Sequence, residues 1–216
     1  MRFDNQVVMI TGAAGSLGKA VAAGFAAGGA RLALADVSEA VLQQAYPGTA
    51  DTRLLLPANL LDSASAQNAV NAAMQKFGRL DALCNIAGGF AWEKVQDGST
   101  DTWDRMYQMN VRTAVAASQA ALAHLPDGGR IVNIGANGAV KAGAGMGAYA
   151  ASKAGVMRFT EALAEELKGR GITVNALLPS IIDTPANRAD MPDADFARWV
   201  QPAQLAAAIA FLLSEE

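Results

Sequence analysis

Apolar runs and alanine-rich stretches alternate along this chain. The runs "VVMI", "RLALAD", "TRLLLPAN", "LDALCNIAG", "RIVNIG" and "ITVNALLP" stand roughly 15 to 30 residues apart, and none shows the strict alternation of a strand with one wet face. Such runs predict strands covered on both faces of a parallel sheet, with the intervening helices as crossovers. The expected fold class is α/β: a single doubly wound parallel sheet with helices on both faces, built as one domain over residues 1–216. No linker, low-complexity block or helical repeat interrupts the rhythm. After the last helical stretch the sequence closes on "AIAFLLSEE", so a final edge strand is apparently missing. Ile172 to Leu178 is then expected to form an exposed edge unless a neighbouring subunit covers it.

Composition narrows the function classes. Hydrophobic residues make up 52% of the chain, but many are alanine, and charges at Arg31, Asp36, Lys76 and Arg79 break the runs before a membrane span is reached. "MRFDNQVVMITG" leads directly into a strand and a glycine turn, so no secretory leader is expected and the cytoplasm is the default location. A formal net charge of -3 gives no basic footprint for nucleic acid. Cys84 and His124, the single cysteine and the single histidine, are read as packing and surface residues; no metal site is expected.

Two stretches carry candidate chemistry. In "VVMITGAAGSLGKAVAAGF" a strand, a glycine turn and a helix follow in succession. Gly12 permits the tight turn, Gly15 lets backbone approach a pyrophosphate, and Gly18 lets the helix pack against the strand, while the helix N-terminus offers free amides to phosphate. The bland alternative is a generic left-handed turn. Asp36, at the end of "RLALAD", stands where a carboxylate accepts hydrogen bonds from the adenine-side ribose; it would repel a 2′-phosphate, which favours NAD over NADP. Its competing role is to cap the next helix in a box with Glu39. The second stretch is "YAASK", where Tyr149 and Lys153 share one helix face. A phenol with a pKa near 10 needs a nearby cation to act at neutral pH, and Lys153 is expected to lower it. Alone, the pair could equally be a buried aromatic beside a snorkelling lysine.

In combination these motifs resemble the short-chain dehydrogenase/reductase family over nearly the whole chain. "TGAAGSLG" is similar to that family's "TGxxxGxG" turn, "NIAG" (Asn85 to Gly88) to its "NNAG", "YAASK" to its catalytic pair, and "PSIIDT" to its "PGxxxT". The resemblance implies a Rossmann-type sheet and dinucleotide contacts from Gly12, Gly15, Ser16, Leu17, Gly18, Asp36, Asn59, Leu60, Asn85, Ala87, Gly88, Pro179, Ile182 and Thr184, with Tyr149 and Lys153. It further implies that Asn110, in "MNVRTA", holds a water in a proton chain, and that the subunits pair as a homodimer or homotetramer through helices at about Thr100 to His124 and Ala148 to Arg170.

One departure stands out. The family's active-site serine lies 13 residues before the tyrosine, and that position is Ala136. Losing a donor aimed at a developing oxyanion typically costs about 2.7 to 4 kcal/mol. The quinonoid dihydropteridine reductases tolerate alanine there, and "AGGFAW" and "DTPANRADMPDADFARW" resemble loops of that branch, although Asn85 and Asn110 follow the wider family and Phe90 stands where the branch has tryptophan. Phe90, Trp92, Phe196 and Trp199 are expected to wall a flat pocket with Ala136 and Asn137, or else simply to pack a lid over about residues 183–200. Three functions follow. The first is an NADH-dependent reductase of an activated, conjugated C=N or C=O compound, with a quinonoid dihydropterin as the example. The second is a conventional alcohol dehydrogenase or ketone reductase in which Asn137 or water replaces the serine. The third is a catalytically weak NAD-binding sensor. In each, the partner is a small molecule.

Overall fold

The computed structural model describes residues 1–214, and Glu215 and Glu216 lie outside them. The predicted alternation is present: β1 (Val7–Thr11), α1 (Ser16–Ala27), β2 (Arg31–Asp36), α2 (Glu39–Ala45), β3 (Arg53–Pro57), α3 (Ser63–Phe77) and β4 (Ala82–Asn85). Then come α4 (Thr100–Tyr107), α5 (Thr113–Leu122), β5 (Arg130–Ile134), α6 (Gly147–Leu167), β6 (Thr173–Leu177), α7 (Pro185–Asp190) and α8 (Pro202–Leu213). The strands form one parallel sheet in the order β3-β2-β1-β4-β5-β6. Every residue of β1 and β4 is buried, whereas the outer strands β3 and β6 are only partly covered. Continuous burial is why the central runs do not alternate: each successive side chain meets a helix on one face or the other.

Two apolar layers result. One gathers Val8, Ile10 and Val132 from the sheet with Val21 and Phe25 of α1 and Leu205, Ile209 and Leu213 of α8. The other gathers Val7, Met9, Leu83 and Ile131 with Val70 of α3, Ala117 and Ala121 of α5, and Leu163 of α6. Among the described residues no strand follows α8, and β6 forms the sheet edge as expected.

One expected helix is built differently. The stretch from Thr100 to His124 is not a uniform α-helix: a π-turn over Gln108–Arg112 separates α4 from α5, which ends at Leu122. Asn110 lies in that turn, and its amide is tied to Gly89 across the cleft, so an external tether coincides with the altered helical register. The other long helix runs close to its expected bounds, with a 3₁₀ turn over Lys168–Arg170 finishing it.

The strand order reverses between β1 and β4, and the C-terminal ends of these strands and of β5 open into a shared crevice, the place where ligands bind in doubly wound sheets.

Candidate active site

The glycine turn between β1 and α1 is shaped by contacts that side chains would forbid. Gly12 has φ +64°, and a methyl group on it would fall 2.8 Å from the backbone of Ala87. On Gly18 a methyl would fall 2.3 Å from the Gly12 carbonyl oxygen and 2.8 Å from Ala13. Gly15 starts α1 with no side-chain cap, so the first amides of the helix, those of Ser16 and Leu17 among them, keep the donor character that suits a phosphate. The Leu17 side chain itself is buried. These features fit a dinucleotide: a cradle that Cβ atoms would fill, beside an uncapped helix N-terminus.

Asp36 does not cap α2. Ser38 does, accepting from Val41 N. Instead Asp36 Oδ2 accepts from Ala14 N at 3.0 Å and Oδ1 from Val37 N at 2.8 Å, which fixes the carboxylate at the turn while each oxygen retains a lone pair. Further round the crevice, Asn59 Oδ1 accepts from Leu61 N, and the Leu60 side chain is buried in the core.

At the end of β4, Asn85 turns its side chain into the fold. Its side chain is 4% exposed and donates to Ser118 Oγ and Asn133 Oδ1, so it belongs to a buried polar network, which Thr160 extends. The amide nitrogen is satisfied there, whereas Oδ1 is buried with no hydrogen-bond partner among the described residues. Thr11, which the sequence reading left without a role, accepts from Ile86 N and Ala87 N, both at 3.1 Å, and so positions the turn that carries Ala87 and Gly88. A methyl on Gly88 would lie 2.5 Å from Asn110 Oδ1 and 3.5 Å from Lys153 Nζ; glycine here brings the chain directly onto both side chains.

Asn110 is fully engaged. Its Oδ1 accepts from Gly89 N, and Nδ2 donates to Gly89 O and to Ser152 Oγ, each at 3.0 Å. Ser152, also unassigned from sequence, donates in turn to Tyr149 O at 2.7 Å. Lys153 is 6% exposed and donates from Nζ to Ile134 O at 2.8 Å. Its Nζ lies 5.9 Å from the centre of the Tyr149 ring.

The expected acidification of the phenol is reversed. Burial raises the Tyr149 pKa, and burial lowers Lys153 to about 8. Both shifts follow from desolvation, which disfavours phenolate and ammonium alike. Among the described residues the Tyr149 hydroxyl has no hydrogen-bond partner of its own.

Ala136 is extended and buried. Asn137 N donates to Pro179 O at 2.9 Å, while its exposed side-chain amide has no partner among the described residues. The four aromatic residues do not form one wall. Phe90 meets Tyr149 edge-on, with ring centres 4.9 Å apart. Phe196 instead pairs with Trp199 at 4.7 Å and lies under the Arg188 guanidinium, and Trp199 is buried. Arg188 and the helix α7 hold these last two rings within their own segment. Ile182 bridges to Val200; Thr184 uses its hydroxyl to cap α7. Asp183 forms a bidentate pair with Arg188 at 2.6 and 2.7 Å and accepts from Gln201. Hydrogen bonds from Arg188, then from Gln201, bring its pKa down to about 2.

Residues 6–195 match the short chain dehydrogenase family. The chain belongs to that family. This short-chain dehydrogenase is 33% identical to the meso-2,3-butanediol dehydrogenase of Serratia marcescens, over 100% of the chain and 90% of the relative. The crystal structure of 3-ketoacyl-(acyl-carrier-protein) reductase from Brucella melitensis, complexed with NADH, superposes with a TM-score of 0.88 at 30% identity, covering 99% of this chain and 92% of that one. A Burkholderia cenocepacia short chain dehydrogenase in complex with NADP does so with a TM-score of 0.86 at 34% identity, covering 100% and 93%. The protein is accordingly an NAD(P)-dependent oxidoreductase. The first two of these relatives are named for diol and ketoacyl chemistry, and none of the three for pterins. They correct the emphasis that the alanine and the loop resemblance had suggested.

Proposed function

We propose that the protein interconverts a carbonyl compound and its alcohol, with Tyr149 as the proton-transfer group. The observation that carries this reading is the convergence of Lys153 and Asn110 under Gly88, beside the glycine turn, with the Tyr149 ring next to Lys153. A bound reduced nicotinamide supplies the hydride that reaches the carbonyl carbon. Tyr149 gives its hydroxyl proton to the carbonyl oxygen, so the C=O bond becomes CH–OH. Lys153 keeps two N–H donors beyond the one on Ile134 O, enough to hold a ribose hydroxyl and return a proton towards the phenol. Asn110 and Ser152 position the helix turn that bears Tyr149.

In the reductive direction Tyr149 acts as the protonated phenol, whereas oxidation needs the phenolate. Ala136 removes the usual second hydroxyl, so the preferred acceptor is an electron-poor carbonyl whose own substituents stabilise the developing alkoxide. The same alanine keeps a conjugated C=N acceptor such as a quinonoid dihydropterin as the second reading. Asp36 favours NADH, since a 2′-phosphate would meet a carboxylate whose two oxygens are already fixed.

The test is a panel of simple ketones, α-diketones and quinonoid dihydropterin, run with NADH and NADPH side by side. Diketone turnover with at least tenfold higher kcat/KM for NADH is the expected result, and Tyr149→Phe should abolish it with NADH affinity retained. Equal activity in the mutant removes Tyr149 from the mechanism. NADH binding without turnover of any acceptor replaces the enzyme reading with a sensor, and turnover of the pterin alone selects the second reading.

A further inference from the structure

The loop from β4 to α4 and the loop from β5 to α6 meet at a joint that proton transfer does not use. Trp92 Nε1 donates to Ala144 O at 3.0 Å, and the next backbone amide, Glu93 N, donates to Gly145 O at 2.8 Å. Gly145 has φ +77°, and a methyl on it would fall 2.2 Å from Cε2 and 2.4 Å from Nε1 of Trp92. The indole thus rests directly on a glycine Cα, a seat that no side chain at position 145 could share. Even so, Trp92 is 59% exposed. It is a large ring pinned at the surface by one hydrogen bond and one bare glycine, not a member of either core layer.

Its neighbours explain what the seat controls. Phe90, two residues earlier on the same loop, touches the Tyr149 ring. Gly145 precedes Met146, which stands at the start of the helix carrying Tyr149, and the Met146 methyl reaches the Gly138 position, where an added Cβ would also lie 4.0 Å from the Tyr149 ring. Trp92 and its glycine seat are thus tied along the chain to two neighbours of the phenol: Phe90, two residues before the indole, and Met146, next to Gly145.

We propose that Trp92 is a specificity-determining residue: seated on Gly145, it closes the outer side of the Tyr149 site, which then takes compact carbonyl acceptors, and a bulky acceptor enters only when the indole leaves the glycine. This rests on the carbonyl reading above. It narrows the substrate class to short, electron-poor carbonyls such as small α-diketones. A surface indole with a single hydrogen bond is readily displaced, and the difference between acceptors lies in whether displacement is needed.

The experiment compares 2,3-butanedione with 1-phenyl-1,2-propanedione in the wild type, Trp92→Ala, Trp92→Phe and Gly145→Ala. The expected result is that Trp92→Ala and Gly145→Ala raise the kcat/KM ratio of bulky over compact acceptor by about tenfold or more, mainly through KM, with NADH affinity unchanged. Trp92→Phe, which keeps a ring but loses the bond to Ala144, should fall between. A joint that merely holds the loops together would lower kcat for both acceptors alike and leave the ratio unmoved, and that outcome overturns the proposal. Gly145→Ala strains a left-handed residue, so Trp92→Ala decides the matter should that variant fail to fold. A second readout needs no turnover: ¹⁹F NMR of the 5-fluorotryptophan-labelled Tyr149→Phe protein with NADH, the Trp92 signal being assigned from its loss in Trp92→Phe. The phenyl diketone should shift that signal and butanedione should not; an unmoved signal with bound phenyl diketone overturns the gate even where the carbonyl reaction itself stands or falls separately on the panel above.

Discussion

Lys153 is held in a place that costs the fold stability, beside the phenol it is proposed to serve. Its ammonium is buried, with Ile134 O as its hydrogen-bond partner, and its pKa falls from 10.5 to about 8. Between those values the unfolded chain binds more protons than the native one, so this group makes stability rise as pH increases from about 8 to 10.5. Below pH 8 the full cost of the buried charge is present. Lys153→Met should therefore raise the melting temperature at pH 7 by roughly 2–8 °C while abolishing turnover, and should remove the rise between pH 8 and 10 seen in denaturant titrations of the wild type. The same titration affects activity: kcat/KM for NADH in the reductive direction should fall above about pH 8, where Lys153 loses its proton. At Ala136 the prediction runs the other way. Ala136→Ser supplies a hydroxyl at the position the family resemblance assigns to the active-site serine and should increase turnover of simple ketones by about tenfold or more, with little effect on an already activated diketone. Tyr149, Lys153 and Ala136 were all legible in the sequence through one helical spacing and one fixed offset. The direction of the phenol's shift was not, because it depends on burial, and burial belongs to the assembled cleft.

At the scale of elements, the turn from β1 into α1 shows why small residues recur in one short stretch. Gly18 faces backbone atoms of Gly12 and Ala13 rather than movable side chains, so Gly18→Ala must push the helix away from the strand. A loss of about 1–3 kcal/mol in stability is expected from overpacking, together with weakened NADH binding measured by fluorescence titration, because the uncapped amides of α1 move with the helix. The π-turn had no comparable signal. "MYQMNVRTA" has a helical composition throughout, and the irregular turn forms where Asn110 bonds both backbone groups of Gly89, a residue 21 positions away. In the same way, the sequence left Asp36 a capping role, and only the fold shows that Ser38 caps α2 while Asp36 turns back to Ala14. The segment over residues 183–200 is an organised element, with Asp183 clasping Arg188 and Gln201, and its two rings are occupied with each other.

Across the whole molecule, the sheet has two partly covered edges, β3 and β6, and the outer face of α4 carries Trp103 and Tyr107 at 40% and 57% exposure. Exposed aromatic residues on a helix next to α6 fit the proposed pairing of subunits through these helices. Tyr107→Glu should shift sedimentation velocity towards the monomer without altering the circular dichroism spectrum; an unchanged sedimentation coefficient places the contact elsewhere. No helix among the described residues is long and apolar enough to cross a membrane, in line with the charges that interrupt each apolar run.

The sequence by itself determined the alternation of strands and helices, the glycine turn, and the Tyr149–Lys153 pair, because each rests on short-range geometry: the period of a strand or helix, the space a missing Cβ leaves, one turn of an α-helix. Tertiary structure alone decided that Asn85 turns beneath the sheet, that the four aromatic residues separate into two groups, that Trp92 rests on Gly145, and that desolvation overrides charge at the phenol. Those outcomes depend on which distant groups compete for the same space and the same hydrogen bonds, and no local pattern records that competition.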